Sequence, residues 1–88
     1  MKISKYIEAK ELISFDEVLQ YCYDCDYCIV NHDEEGNKTS IEILPRHLDQ
    51  AIEVQETLAD DADSLKFLEL IKSLLKILEE NEIDFVRI

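Results

Sequence analysis

The chain has 88 residues and a formal net charge of −12 at pH 7, from nine Lys or Arg against 21 Asp or Glu. This length is enough for one small domain and leaves no room for a second hydrophobic core. Because nucleic acids and anionic lipid surfaces are negatively charged, both would repel this chain, and we expect direct binding to neither. The longest apolar runs are too short for a membrane span, and no apolar signal segment follows Met1, so we expect a cytoplasmic protein.

The negative charge is concentrated in the middle of the chain. Residues 27–63 have a net charge of −8, whereas residues 1–26 have −3 and residues 64–88 have −1. No Lys or Arg occurs between His47 and Leu65, but six carboxylates do. They are Asp49, Glu53, Glu56, Asp60, Asp61 and Asp63. This distribution indicates a surface suited to a basic partner.

The N-terminal segment has two competing patterns. Ile3, Ile7 and Ala9 fit one face of a strand, whereas residues 8–12 have helix-forming composition. We predict a short strand within residues 2–12 and leave a helix as the alternative.

A helix is predicted over residues 15–25. The sequence from Ser14 to Glu17 is typical of a capping box, in which both side chains bond to free N–H groups of the first turn. At 100° per residue an apolar arc forms on one side of this helix. The arc contains Phe15, Val18, Leu19, Cys22 and Cys25.

A β-hairpin and a second helix follow. Residues 27–32 and 39–44 have strand-forming composition, and residues 33–37 provide turn residues that include Gly36 for a positive φ. Pro45 is suited to the first position of a helix, where its missing N–H would have no partner.

Residues 60–64 interrupt this second helix and supply a cap for a long helix over 65–80. The apolar side chains of this long helix cover about half of its circumference, which is wider than the usual stripe. Alternation over 83–88 predicts a closing strand. The predicted fold is α+β, a single two-layer domain over 1–88 with the order (β)-α-β-β-α-α-β. Its three- or four-stranded, mainly antiparallel sheet packs against the helix 65–80.

Four of the acidic residues are predicted to share one face of the second helix. Asp49, Glu53, Glu56 and Asp60 are spaced i, i+4, i+7 and i+11, which places them within about 60° of circumference and along about 16 Å. Like charges at i,i+4 destabilise a helix by about 0.2–0.5 kcal/mol per pair, and intervening Lys would remove this cost. We interpret the array as an imitation of nucleic-acid phosphates that occupies a basic cleft on a partner. The alternative is a solvated face that only keeps the protein soluble.

The predicted partner-binding residues are Asp33, Glu34, Glu35, Asp49, Glu53, Glu56, Asp60, Asp61 and Asp63. In size, charge and mix of elements the chain resembles small acidic inhibitors of nucleic-acid-handling proteins. This class includes phage-encoded CRISPR inhibitors, other DNA mimics and nuclease inhibitors such as barstar. No family motif is present, so no functional residue is carried over. The resemblance implies a non-enzymatic inhibitor whose partner is a basic protein, such as a nucleic-acid-binding enzyme or effector.

The cysteines suggest a second hypothesis. Cys22, Cys25, Cys28 and His32 read C-x2-C-x2-C-x3-H, and the first three match the start of a bacterial ferredoxin run. His32, however, stands where a fourth Cys is expected, and zinc sites usually separate their two ligand pairs by a dozen or more residues. We predict free thiols without a cofactor, with a metal-binding or redox module as the alternative.

No catalytic motif is recognisable. Gly36 is the only glycine, so a glycine-rich phosphate loop is excluded, and His32 and His47 have no Ser or Cys partner arrangement. We therefore expect a protein without enzymatic activity. A third hypothesis, a structural homodimeric adaptor, follows from the wide apolar face of residues 65–80. We expect instead a monomer in which the sheet and the preceding helix cover that face.

Overall fold

The computed structural model describes residues 4–88, so Ile3 and the start of the predicted N-terminal strand lie outside the described residues. The strands are β1 (Tyr6–Glu8), β2 (Ile29–His32), β3 (Lys38–Ile43) and β4 (Phe85–Arg87). The helices are α1 (Asp16–Asp24), α2 (Pro45–Leu58) and α3 (Ala62–Glu80). Short 3-10 helices at Ala9–Glu11 and Ile13–Phe15 connect β1 to α1. The predicted α+β class and the order of elements are confirmed.

The sheet is mixed, with the strand order β1-β4-β3-β2. β1 pairs in parallel with β4, whereas β3 pairs antiparallel with both β4 and β2. The last strand of the chain therefore lies between the first and the third. Val86 of β4 is aligned with Ile7 on one side and with Ile43 on the other. Both Val86 and Ile43 are fully buried, so this part of the sheet contributes directly to the hydrophobic core.

The helices cover the face of the sheet that carries these apolar side chains. Ile71, Leu74 and Leu78 of α3 are completely buried, and α3 packs along α2. Much of the wide apolar face of α3 is thus covered within one chain. No helix within residues 4–88 is both long enough and apolar enough to cross a membrane.

The predicted capping box at Ser14 is wrong. Ser14 is exposed within the 3-10 helix Ile13–Phe15, and the N-cap residue of α1 is Phe15, which makes no side-chain cap bond. The backbone N–H of Phe15 bonds instead to the carbonyl of Leu12, at 2.9 Å. The chain is therefore already turning before α1 begins, and Ser14 lies one residue too early to cap it.

α1 and α3 end in the same way, each with an acidic residue in the left-handed conformation. Asp26 has φ 61° and Glu82 has φ 53°. After α3, the N–H of Glu82 bonds to the carbonyl of Glu79 at 3.2 Å and that of Ile83 to Leu78 at 2.8 Å, which is the Schellman pattern. A residue with a Cβ is strained at this position, whereas Gly is not.

We therefore predict that Glu82→Gly raises the free energy of unfolding by about 0.5–1 kcal/mol, because relief of the strain exceeds the entropy cost of Gly. Urea denaturation at pH 7.5 measures it. Glu79→Gly is the matched control, since it also replaces one Glu by Gly but does so inside the last turn of α3. We expect that control to lower stability by about 1 kcal/mol. Equal effects of the two changes would contradict the prediction.

Candidate functional site

The first turn of α2, the helix that carries Asp49, Glu53 and Glu56, is fixed by Pro45 and His47. Pro45 occupies the first turn, as predicted, and the backbone N–H of Leu44 donates to Nδ1 of His47 at 2.9 Å. His47 thus acts as Glu or Gln does at the third position of a capping box. Leu44 offers no side-chain acceptor in return. This role of His47 was not predicted, although a polar acceptor three residues after the N-cap is the sequence signal for it.

The buried side of α2 fixes which residues face solvent. His47, Leu48 and Ala51 are buried against the core. Asp49, Glu53 and Glu56 lie on the opposite side, within about 60° of circumference, and all three are exposed. We call these three residues the α2 stripe. They extend over about 10 Å of the helix axis.

Asp60 is not part of this helical face, so the prediction of four carboxylates on one face is wrong. α2 ends at Leu58, and its C-cap residue Ala59 has the extended backbone φ −71°, ψ 117°. The i+11 spacing places a residue on the same face only while the helix continues. Asp60 is exposed in the connection between α2 and α3.

The next two carboxylates help to start α3. Oδ1 of Asp61 accepts a hydrogen bond from the N–H of Ser64 at 2.7 Å, and this bond lowers the pKa of the Asp61 carboxyl. Asp63 lies in the first turn of α3, where the helix dipole favours negative charge. The predicted cap for the long helix is confirmed, but α3 begins at Ala62 rather than at residue 65. Both carboxylates remain exposed.

The carboxylates of the hairpin form a separate group. Oδ1 of Asp33 accepts hydrogen bonds from the N–H groups of Glu35 and Asn37, each at 2.9 Å. These bonds, that from Asn37 foremost, lower the pKa of Asp33. Gly36 has φ 89°, which confirms the predicted turn. Glu34 and Glu35 are exposed beside it.

Two tyrosines of α1 accept hydrogen bonds, one from the hairpin and the other from α2. The Lys38 ammonium donates to the Tyr23 hydroxyl at 2.8 Å, and the Gln55 amide of α2 donates to the Tyr21 hydroxyl at 3.0 Å. Tyr21 and Tyr23 are about 200° apart on α1. The hairpin and α2 therefore contact different sides of this helix, and we treat the hairpin carboxylates as distinct from the α2 stripe.

Intramolecular ion pairs occur elsewhere in the molecule. Within residues 4–88 they join Lys10 to Glu8, Lys72 to Glu69 and Lys76 to Glu80, at 2.9, 4.0 and 3.8 Å. Two of the three are on the exterior of α3. For the described part of the chain, no carboxylate of the α2 stripe is paired with a cation.

The cysteines do not share one environment. Cys22 is fully buried, and burial raises the pKa of its thiol to about 12. Cys25 was predicted on the buried arc, which is wrong: α1 ends at Asp24 and Cys25 is exposed. Cys28 is half-buried and precedes β2 rather than lying in it, and burial also raises its pKa.

No group of three or more His, Cys, Asp or Glu side chains within residues 4–88 is placed to hold a metal ion. His32, the fourth residue of the Cys/His pattern, is exposed at the end of β2. All three thiols are free. The metal-binding alternative therefore gains no geometric support.

His47 generates a pH prediction. Burial, with the positive charge of Arg46, lowers the pKa of His47 in the folded protein. The unfolded chain then takes up a proton more readily, so the stabilising contribution is complete above the unfolded pKa near 6.5 and is lost as pH falls. We expect a lower free energy of unfolding at pH 5.5 than at pH 7.5, by urea denaturation.

The matched variants are His47→Gln and His47→Ala. Gln retains an acceptor at the third position without titrating, so its stability changes less between pH 7.5 and pH 5.5. Ala leaves the Leu44 N–H unpaired and costs about 1–3 kcal/mol at pH 7.5. An unchanged pH dependence in His47→Gln would exclude His47 as the cause.

No family model, curated protein or solved structure matches this chain. The function is therefore inferred from its own residues and their geometry.

Proposed function

We propose that this protein is a non-enzymatic, acidic binding protein that masks a basic, nucleic-acid-binding surface of a partner protein. The observation that supports the proposal is the α2 stripe, Asp49, Glu53 and Glu56. These three carboxylates lie on the solvent side of one helix, exposed and, within the described chain, without an intramolecular cation.

The comparison with α3 gives this observation its weight. On α3, Lys72 and Lys76 lie within 4.0 Å of Glu69 and Glu80, so the exterior of that helix compensates its own charge. On α2, repulsion at i,i+4 between Asp49 and Glu53 costs about 0.2–0.5 kcal/mol. The exposed Arg46, one turn before Asp49, is the nearest cation along this helix, and it forms no ion pair with the stripe in the described chain. Carboxylates that form no ion pair within the chain remain available to a basic surface, and such complementary charges accelerate encounter and fix the register of an interface.

The density of charge indicates which residues contribute. Successive carboxylates of the α2 stripe are about 5 Å apart along the axis, whereas a DNA strand has one phosphate per about 3.4 Å. The stripe alone is therefore sparser than a nucleic-acid strand. Asp60, Asp61 and Asp63 follow it directly in the chain and are exposed, so they add charge at its end. The acids Asp33, Glu34 and Glu35 would form a second, supporting contact.

Such a surface acts mainly on the rate of association. Long-range attraction between an acidic and a basic surface accelerates encounter, and dissolved salt screens it beyond about 10 Å at 0.1 M. Capture of the partner should consequently be strong at low ionic strength and weak at high ionic strength.

The test uses two triple variants with the same net charge. Asp49→Asn, Glu53→Gln and Glu56→Gln neutralise the α2 stripe, whereas Glu69→Gln, Glu79→Gln and Glu80→Gln neutralise three acids on α3. Each tagged protein is used for affinity capture from a native lysate at 50 mM and 500 mM NaCl, followed by protein identification. We expect the unchanged protein to capture basic nucleic-acid-binding proteins that high salt releases.

The α2 triple variant should lose at least tenfold of this capture, equivalent to about 1.4 kcal/mol, and the α3 triple variant should retain it. Circular dichroism verifies that both variants are folded. Equal loss in both would show that only net charge matters, and equal retention would show that the stripe is not a binding surface. Either result contradicts the proposal.

A further inference from the structure

A second surface feature lies along α1, on the side away from α2. It is an open groove of about 580 Å³ between α1 and the sheet. Leu19, Ile41 and Ile88 provide its apolar lining, and Asp16, Glu17 and Gln20 lie along its α1 side. No residue of the α2 stripe lines it.

The topology of the sheet leaves this groove open. β1 ends at Glu8, whereas β4 is prolonged by Ile88, whose backbone N–H donates to the carbonyl of Ile41 at 2.8 Å. α1 has only nine residues, about 13 Å, and its side chains Val18 and Cys22 are buried in the core. The apolar side chains at the end of the β3–β4 pairing are therefore incompletely covered, and Ile88 is 47% exposed.

The groove is negative at the start of α1, whereas the Lys38 ammonium lies at its other end, bonded to the lining residue Tyr23 at 2.8 Å. Asp16 and Glu17 begin α1, and both are exposed. Glu17 also borders a second concavity, of about 430 Å³, whose other charged lining residues are Asp63 and Lys66. Acidic groups beside an apolar lining are complementary to a segment with apolar side chains flanked by Lys or Arg.

The groove is open to solvent along its length, which favours a polypeptide over a small molecule. Sites for small molecules usually enclose most of the ligand surface, whereas this groove is open and extends along about 10 Å of α1, from Asp16 to Tyr23. Grooves beside a helix are a common mode of peptide recognition.

We propose that the groove binds a short, basic amphipathic segment of a partner protein. Its apolar side chains pack on Ala9, Ile41 and Ile88, and its Lys or Arg side chains lie beside Asp16 and Glu17. This site is additional to the α2 stripe and does not depend on it.

The test uses two synthetic peptides of twelve residues with the same number of Lys. One is an amphipathic Lys/Leu peptide, and in the other every Leu is replaced by Ser. Each is titrated into the ¹⁵N-labelled protein at 150 mM NaCl and followed by NMR. We expect at least tenfold tighter binding of the Lys/Leu peptide, with chemical-shift changes at Leu19, Gln20 and Ile41.

The variants locate the binding. Ile88→Ser removes apolar lining, Gln20→Trp fills the groove, and the pair Asp16→Asn with Glu17→Gln removes its charge. Each should weaken binding of the Lys/Leu peptide at least fivefold. Leu58→Ser is the matched control, because Leu58 is also an exposed apolar residue, at 63%, but lies at the end of α2. It should change the affinity less than twofold.

Equal affinities for the two peptides, or shift changes confined to α2 and residues 59–63, would overturn this proposal. The second of these outcomes would leave the α2 stripe supported as a binding surface. Conversely, groove binding that survives in the α2 triple variant would stand even if that variant captured its partners normally. The two proposals are thus tested separately.

Discussion

The fold depends on the insertion of β4 between β1 and β3. Within the described chain, β1 has three residues and pairs only with β4. Without β4, β2 and β3 would form an isolated two-stranded hairpin, which is marginally stable in water. Both β1 and the β2–β3 hairpin therefore depend on β4. Val86 is the central residue of the inserted strand, since it is fully buried and aligned with Ile7 and Ile43. Bonds between Lys5 and Asp84, at 2.7 and 2.8 Å, fix the approach of the two chain segments.

The same core determines how charge is presented. Burial of Leu48 and Ala51 sets the rotation of α2, so the carboxylates of the α2 stripe face solvent together. α3 is held by a wider apolar face, and its narrower exterior mixes Lys with Glu. α2 and α3 pack against each other, but in the described part of the chain ion pairs form on the exterior of α3 and not within the α2 stripe. Because local repulsion costs only tenths of a kcal/mol per pair, burial of the apolar side readily outweighs it.

The sequence predicted those features that depend on neighbouring residues. The hairpin turn at Gly36, the helix start at Pro45 and the acidic cap of α3 all follow from local backbone chemistry. The errors at Ser14, Cys25 and Asp60 all concern helix ends. At such points several local structures compete at similar free energy, and a 3-10 turn or a neighbouring cap shifts the boundary by one or two residues.

The sequence by itself determined the α+β class, the order of the elements and the concentration of acid in the middle of the chain, because periodicity and charge are local properties. Only the tertiary structure decided the parallel pairing of β1 with β4, which joins segments nearly 80 residues apart. It also decided the groove over Ile41 and Ile88, and the separation of the hairpin acids from the α2 stripe. These features depend on which distant surfaces bury one another, and no repeat in the sequence encodes that choice.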